Sequence, residues 1–333
     1  MQNTTPFQGE PPVTSLVNGP DIRITDLINS SKFTRSAEIV PPRNGVSMQV
    51  IFDQIQALVT AGAEFLAVTK GAGGALRGGS LPIAQMIKER FHVPCIAHFT
   101  CRDLLPEEVE SSLVDHHFFG IRNILALRGD PPVGVTDWVT REGSYAYAHL
   151  LIKQIRALNE GRYLERPGFK VQERESTDFC IGAACYPDEP DFEKRIGHLR
   201  AKVDAGAEYA ITQMMFDVDS YARYLDECAA NGIHIPILPG VRIARSRPQA
   251  ERIAKRFGIP APESLLALLP TDDKIPANEQ ALAAFNSMTE QFRQAGAPGI
   301  HLFVLSDTEL ACALLKDLAA KPAVLQRVAT VGA

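Results

Sequence analysis

Eight short apolar segments recur along the chain, and each is followed by a longer stretch with helical periodicity. Short apolar runs bounded by turn residues are typical of strands buried on both faces, and strands that alternate with helices predict a parallel sheet. Eight such units predict an α/β fold, a single-domain (β/α)₈ TIM barrel, with an open doubly wound sheet as the alternative. The predicted strands are residues 35–40, 65–69, 94–98, 123–127, 179–183, 209–213, 234–238 and 300–304.

The segments between these strands carry helix signals. Ile51, Ile55 and Leu58 share one face of a predicted helix. Pro106 and Asp217 are residue types that favour the first turn or the N-cap of a helix, so we expect two more helices to begin there. The Pro-rich region 260–278 predicts an inserted turn with a short helix before the last helix and strand.

Length and composition limit the class of protein. A chain of 333 residues, 45% of them hydrophobic, can bury the core of one barrel. We expect the barrel to span residues 21–318, between a flexible polar N-terminal tail (1–20) and a C-terminal tail (319–333). A net charge of −5 and the lack of a long apolar run predict neither a nucleic-acid surface nor a membrane span.

The cysteines and histidines indicate the cellular compartment of the protein and whether it binds a metal. The six cysteines form no C-x-x-C pair, and the N-terminus lacks the layout of a signal peptide, so we expect reduced thiols in a cytoplasmic enzyme. The eight histidines show no H-E-x-x-H pattern. We therefore expect no bound metal.

Polar or glycine residues stand where several predicted strands end. Catalytic groups of a (β/α)₈ barrel lie at the carboxyl ends of its strands, so these residues are expected to converge on one mouth. They include Thr69-Lys70, His98, Arg128-Gly129-Asp130, Tyr186 and Thr212-Gln213.

Glu38 is the most informative polar residue, because it lies between Ala37 and Ile39 in an apolar strand. Loss of water disfavours the charged form of a carboxylate, which suits a general acid. An ion pair with Arg35 or with another barrel residue is the structural alternative.

Other polar positions leave alternatives open. Asp130 precedes two prolines, which is typical of a turn residue, but at a barrel mouth its carboxylate can instead accept hydrogen bonds from the N–H groups of a ring ligand. His98 alone at a strand end fits a structural residue as well as a catalyst. The glycine-rich loop 71–79 is a lid, a plain connection or a close approach to a phosphate. Phe216, after two methionines, belongs to the core or packs on a flat ligand.

Several motifs follow one another along the chain in a fixed order. They are A-E-I-V-P-P-R, V-T-K-G-A-G-G, A-H-F-T-C, N-I-L-A-L-R-G-D-P-P, Y-A at 147 and 148, C-Y-P, and K-V-D-A-G-A-E-Y-A-I-T-Q. Taken together they resemble the bacterial methylenetetrahydrofolate reductase family, over residues 35–315. The resemblance implies a (β/α)₈ barrel that binds FAD, uses NADH or NADPH, and reduces 5,10-methylenetetrahydrofolate to 5-methyltetrahydrofolate in a ping-pong scheme. It also fits a homo-oligomer.

The resemblance assigns roles to individual residues. Glu38 matches the general acid that protonates N10 of the folate, and Asp130 matches the carboxylate between flavin and pterin. Gln213 and Gln249 match folate contacts, and Phe216 is added to them as an expected substrate contact. The positions that match FAD-binding residues are Thr69, Ala72, His98, Leu127, Arg128, Gly129, Asp130, Tyr147, Ala148, Tyr186 and Lys202.

The chain also departs from the family pattern. The loop after Tyr186-Pro187 is shorter and lacks the usual histidine, and Arg195 stands where the family has an aspartate that contacts FAD. Lys70 replaces an aromatic residue, and Asp307 replaces an arginine near the substrate. These changes predict that the adenosine half of FAD is held differently and less tightly.

Two other classes of function fit the same barrel. One is a folate-dependent methyl-transfer or demethylation enzyme without hydride chemistry, and flavin absorbance of the purified protein would argue against it. The other is a non-catalytic folate or flavin sensor. Retention of both Glu38 and Asp130 argues against a sensor, which needs no acid.

Overall fold

Eight parallel strands form a closed barrel in the computed structural model, in the order of the sequence. The last strand pairs with the first, from Thr34 opposite Gly299 to Glu38 opposite Phe303, so the predicted barrel is confirmed and an open sheet is wrong. The structure describes residues 19–320 apart from 32, 76, 133, 136, 166, 169–173, 273–277 and 306. The strands are β1 (Thr34–Ile39), β2 (Phe65–Val68), β3 (Cys95–Thr100), β4 (Asn123–Leu127), β5 (Cys180–Cys185), β6 (Tyr209–Met214), β7 (Ile237–Val241) and β8 (Gly299–Phe303).

Helices surround the barrel, and the predicted helix starts are confirmed. One begins at Pro106, and another follows Asp217, whose side chain accepts a hydrogen bond from the Asp219 N–H at the helix N-terminus. The helices are α1 (Ile24–Ser30), α2 (Gln49–Thr60), α3 (Ser80–Met86), α4 (Pro106–Phe118), α5 (Ala148–Asn159), α6 (His198–Ala205), α7 (Val218–Ala230), α8 (Arg247–Phe257), α9 (Glu263–Leu266), α10 (Asn278–Gln294) and α11 (Thr308–Ala320). π-Helical turns extend α3 over Ile87–Phe91 and precede α6 over Glu193–Gly197.

Alternate strand residues divide the core into two layers. The outer layer packs strands against helices, and it includes the apolar face of α2 at Ile51, Ile55 and Leu58. The inner layer fills the barrel with side chains such as Phe65, Ile96, Tyr209 and Leu238. The few polar strand residues lie at both ends of the barrel: Asn123 opens β4 at the amino end, whereas Glu38 and Gln213 stand near the carboxyl ends of β1 and β6.

Strand β7 starts three residues later than predicted and continues through Pro239 and Gly240. The register between β6 and β7 shifts at this point, and the Thr212 hydroxyl accepts a hydrogen bond from the Gly240 N–H at 2.8 Å. A Cβ on Gly240 would lie 2.4 Å from the Phe303 ring. Close packing, rather than a turn, therefore requires glycine at position 240 of the strand.

A short helix, α1, closes the amino end of the barrel, and the sequence did not predict it. Ile24 and Ile28 of α1 are buried in the inner layer. The carboxylate of Asp21 accepts hydrogen bonds from the Cys95 N–H at 2.7 Å and from the Asn123 side chain at 3.4 Å. These contacts tie the segment before α1 to β3 and β4.

The predicted tails lie mostly outside the described residues. Helix α11 continues to Ala320, and residues 1–18 and 321–333 are not described. The short helix predicted in the Pro-rich region is α9. Within the part of the chain that the structure describes, every helix is too short or too polar to cross a bilayer.

Candidate active site

A cavity of about 480 Å³ opens at the carboxyl ends of the strands and extends outward over the starts of α5 and α6. The structure gathers most of the predicted site residues around it. Those that line the cavity are Glu38, Thr69, Ala72, His98, Leu127, Arg128, Gly129, Asp130, Tyr147, Ala148, Tyr186, Lys202 and Gln213.

Glu38 lies near the barrel axis at the floor of this cavity and is 8% exposed. One of its oxygens is 3.4 Å from Nε2 of His98 on β3 and 3.8 Å from Nε2 of His301 on β8. Arg35 instead pairs with Glu64, so the alternative of an Arg35–Glu38 ion pair is wrong. Two imidazoles are the polar neighbours of the carboxyl group.

His98 faces Glu38 as a neutral ring at neutral pH. Burial lowers the pKa of His98 below its ordinary value, with His301 adding to the effect and Glu38 opposing it. The contact with Glu38 is therefore not an ion pair of full charges at neutral pH. A neutral imidazole beside the carboxyl group can accept its proton or return it.

His301 was missed by the sequence analysis, although it carries the signal that singled out Glu38. It is a polar residue in an apolar strand, two positions before Phe303, and it is fully buried. Its Nδ1 is 2.9 Å from the Ser36 hydroxyl, which donates to the Ile300 carbonyl at 3.0 Å. Because Ser36 uses its proton on that carbonyl, it accepts from Nδ1–H of His301, and the lone pair of Nε2 points toward Glu38.

Asp130 joins two loops at the mouth. Its carboxylate accepts a hydrogen bond from the Gly73 N–H at 2.9 Å, and its carbonyl accepts one from Arg102. Asp130 is exposed on the cavity wall, so its carboxylate both holds the glycine-rich loop and faces the cavity. Gly129 has φ +94, a backbone conformation that favours glycine. A Cβ at this position would also lie 3.0 Å from the Cβ of Arg102.

Cationic side chains line the outer half of the cavity. Lys202 donates to the Ala184 carbonyl at 2.7 Å and stands 5.6 Å from the centre of the Tyr186 ring. Burial lowers the pKa of Lys202. Arg128 is exposed and lies 5.9 Å from the Trp138 ring. The region can therefore attract an anionic group such as a diphosphate.

A family model described as methylenetetrahydrofolate reductase matches residues 23–319 of this chain. The chain belongs to the methylenetetrahydrofolate reductase family. Methylenetetrahydrofolate reductase 1 of Schizosaccharomyces pombe is 33% identical over 83% of this chain and 44% of its own length. The 5,10-methylenetetrahydrofolate reductase of Escherichia coli is 30% identical over 86% of this chain and 91% of its own.

The relatives differ in length. This chain spans about half the length of the yeast and plant methylenetetrahydrofolate reductases it matches, and most of the bacterial ones. A solved Clostridium thermocellum protein, described as binding two copies of 5-methyl-5,6,7,8-tetrahydrofolic acid, has a TM-score of 0.53 and 16% identity. The match covers 88% of this chain and 97% of the Clostridium thermocellum protein, and it shows a likeness of fold.

Two residues that depart from the reductase family pattern are engaged away from the large cavity. Arg195 forms a two-pronged ion pair with Glu227 on α7, at 2.8 and 3.1 Å, and also donates to the Glu189 carbonyl. Asp307 forms a similar pair with Arg245, at 2.6 and 2.7 Å. Both side chains are held by structural partners within the described residues.

Two of the predicted substrate contacts lie outside the large cavity. Gln249 is in the first turn of α8, where its side chain accepts from the Arg245 N–H at 2.6 Å, and it borders a cavity of about 50 Å³ beside Asp307. Phe216 is buried and meets the Phe285 ring of α10 edge-on, with centroids 6.2 Å apart. Their assignment to the substrate stays a prediction.

Proposed function

We propose that this chain reduces 5,10-methylenetetrahydrofolate to 5-methyltetrahydrofolate, with FAD as cofactor and NADH or NADPH as electron donor. The observation that carries the proposal is a nearly buried carboxyl group, Glu38, set between two imidazoles at the floor of the cavity. Membership of the reductase family supports the reaction and the substrate. The proposal assigns the activity to the barrel, residues 21–318.

Glu38 supplies the proton that the reaction needs. Opening the five-membered ring of the folate leaves electrons on N10, and a carboxylic acid at that atom neutralises them as the bond breaks. Nε2 of His98 and Nε2 of His301 lie 3.4 and 3.8 Å from the same Glu38 oxygen, so either ring can accept a hydrogen bond from the carboxylic acid when the groups move closer. FAD held in the cavity would supply the hydride chemistry, with NAD(P)H as the donor and the folate as the acceptor.

The cavity residues fit FAD in their chemistry. The Thr69 hydroxyl and Nε2 of His98 are buried atoms without a hydrogen-bond partner, and both residues line the cavity, so a polar ligand there would satisfy them. Arg128 and Lys202 stand where a diphosphate would be neutralised.

Gln213 and Asp130 would hold the pterin. Gln213 lines the cavity beside Thr212 and offers an amide that can both donate and accept. Its side-chain oxygen accepts from the Met214 N–H at 2.9 Å, which leaves the NH₂ group directed elsewhere. A carboxylate at Asp130 suits the N–H groups of the pterin edge.

The experiment that tests the function measures the oxidation state of the flavin and the folate product. Protein purified with FAD is mixed with NADH or NADPH without oxygen, and flavin absorbance at about 450 nm should fall; adding 5,10-methylenetetrahydrofolate should restore it and yield 5-methyltetrahydrofolate. Methyl transfer from folate without any change in flavin absorbance would instead favour the methyl-transfer alternative.

A further inference from the structure

Three aromatic rings form a continuous surface at the outer end of the cavity. Tyr147, at the N-cap of α5, stacks on His149 with ring centroids 5.6 Å apart and planes inclined by 15°. The same tyrosine ring lies 6.2 Å from that of His198, at the start of α6. All three residues line the cavity.

These rings are left open to a ligand. Tyr147 is 51% exposed, His198 is exposed and His149 is half-buried. Apart from the contacts between the rings, neither histidine has a hydrogen bond or ion pair within the described part of the chain. Because Tyr147 and His149 are nearly parallel and His198 is inclined to Tyr147 by 53°, the rings offer separate faces on which a flat heteroaromatic ring can stack.

The charges around this surface point to a phosphate-bearing ligand. Lys194, Lys202 and Arg128 line the same cavity as the three rings, together with the carboxylates of Glu189 and Asp130. The first turn of α5 carries no side-chain cap, so its backbone N–H groups add to the positive potential. Aromatic rings next to cationic side chains suit a ligand in which a flat ring stands near two phosphates, as in an adenosine diphosphate group.

The family's usual contacts at this end are missing from this chain. The loop after Tyr186-Pro187 is short and lacks the family histidine, and Arg195, in the place of the family aspartate, is held by Glu227 and does not line the cavity. The two histidines of the aromatic surface come instead from the first turns of α5 and α6. Another set of residues therefore occupies the position left by these changes.

We propose that His149, His198 and Lys194, none of them assigned above, complete the adenosine end of the FAD site: the two histidines form with Tyr147 the platform on which the adenine stacks, and Lys194 lies with Lys202 beside the diphosphate. The inference rests on the proposed function, because it places the flavin ring at the axis near Glu38 and the adenosine half at the cavity's outer end. Burial lowers the pKa of His149, with His198 and Lys202 adding to the effect, so this ring is neutral at neutral pH and stacks without a charge.

Comparing FAD with FMN isolates this end of the site, since FMN keeps the flavin ring and one phosphate but lacks the adenosine. Dissociation constants of both flavins are measured by fluorescence quenching for the parent protein and for His149→Ala and His198→Ala. Loss of a stacking partner should weaken FAD binding by about 5- to 100-fold. FMN binding should change by less than about twofold.

Variants that keep a ring provide the matched comparison. His149→Phe and His198→Phe should retain most of the preference for FAD over FMN, and His234→Ala, an exposed histidine outside the cavity lining, should leave both constants unchanged. Equal thermal unfolding temperatures would establish that all variants are folded.

The possible contrary results are distinguishable. A preference for FAD over FMN that is the same in parent and alanine variants overturns the platform while leaving the reductase proposal in place. Variants that lose affinity for NADH but keep the FAD preference overturn the assignment to FAD and give the platform to the nucleotide donor. A parent protein that binds neither flavin overturns the cofactor proposal and the platform with it.

Discussion

At the scale of single residues, the site depends on how Glu38 is surrounded. Its carboxyl group touches imidazoles from β3 and β8, and His301 is held in one orientation by Ser36 on the same strand as Glu38. The acid and the two rings come from three strands, which fixes their spacing through the barrel itself. Both predictions at this scale concern the supply of one proton.

Replacing Glu38 with Gln should stop folate reduction while sparing flavin reduction by NAD(P)H. Hydride transfer to the flavin needs no acid, whereas opening the folate ring does, and general acid catalysis is worth about 10² to 10⁴ in rate. Stopped-flow absorbance measures the two half-reactions separately. Glu64→Gln, which removes a carboxylate paired with Arg35 outside the cavity lining, is the control. Equal slowing of both half-reactions would mean that Glu38 is structural.

Replacing His301 with Phe should slow folate reduction by about 2- to 10-fold, the value of one hydrogen bond. Flavin reduction by NAD(P)H should keep the parent's rate, because that half-reaction needs no acid. The 3.8 Å separation is longer than a hydrogen bond, as is common before substrate binds. Ser36→Ala, which frees Nδ1 of His301, should also slow folate reduction. Folate reduction at the parent's rate in both variants would contradict this role.

Sequence reasoning found Glu38 and His98 but not His149, His198 and His301, which also line the cavity. A carboxylate in an apolar strand is visible in one segment, and His301 has the same signal in β8. His149 and His198 lie at helix starts, and only the packing of α5 and α6 against the barrel brings them to the mouth. Such placement depends on contacts between distant segments, which periodicity in one segment cannot reveal.

At the scale of elements, α1 shows why some structure is invisible in the sequence. The helix has seven residues, too few for a full apolar stripe, and it forms because Ile24 and Ile28 fill the end of the barrel. Its position is fixed by Asp21, which is 6% exposed and contacts β3 and β4. Tertiary contacts, rather than local propensity, determine this helix.

Asp21 should make the stability of the barrel depend on pH. Burial raises the pKa of Asp21 from 3.8 to about 6, against hydrogen bonds from Cys95 and Ile22 that lower it. Between those values the folded state keeps a proton that the unfolded chain releases, so stability falls as pH rises through this window and the loss is complete above about pH 6. A pKa shift of about two units corresponds to a change of at most about 3 kcal/mol in the free energy of unfolding.

Asp21→Asn should remove that dependence, because its amide oxygen still accepts from Cys95 and carries no charge. Urea unfolding at pH 4 and at pH 7.5 measures the unfolding free energy of variant and parent. The stability of the variant relative to the parent should be greater at pH 7.5 than at pH 4. Asp26→Asn, an exposed carboxylate on α1, should leave the parent's pH dependence in place. A variant that loses stability equally at both pH values would count against this account.

At the scale of the whole molecule, the barrel was predictable because eight apolar segments each specify a strand buried on both faces. The bounds of β7 could not be predicted from the sequence. They depend on the register shift beside Thr212 and on the close packing of Gly240 against Phe303, which together involve three strands. Local pattern determines which segments are strands, and close packing between strands determines where each one ends.

Gly240→Ala should destabilise the whole barrel by about 1–3 kcal/mol, as expected for overpacking. The added Cβ would meet the Phe303 ring at 2.4 Å and the Thr212 carbonyl at 2.7 Å, so β6 and β8 must both move. Gly78→Ala is the control, because its Cβ would meet only the Asn44 side chain, at 3.8 Å. Denaturant unfolding measures both. A Gly240→Ala barrel as stable as the Gly78→Ala one would show that the strands adjust freely.

Closure of β1 on β8 has a consequence for how the chain folds. Ser36 and His301 are 265 residues apart in sequence, so their contact forms only when a very long loop has closed. During synthesis β1 emerges early and its edge stays unpaired until β8 arrives, which makes folding slow and leaves a strand edge open to aggregation. The surroundings of Glu38 are therefore completed by the last strand to be made.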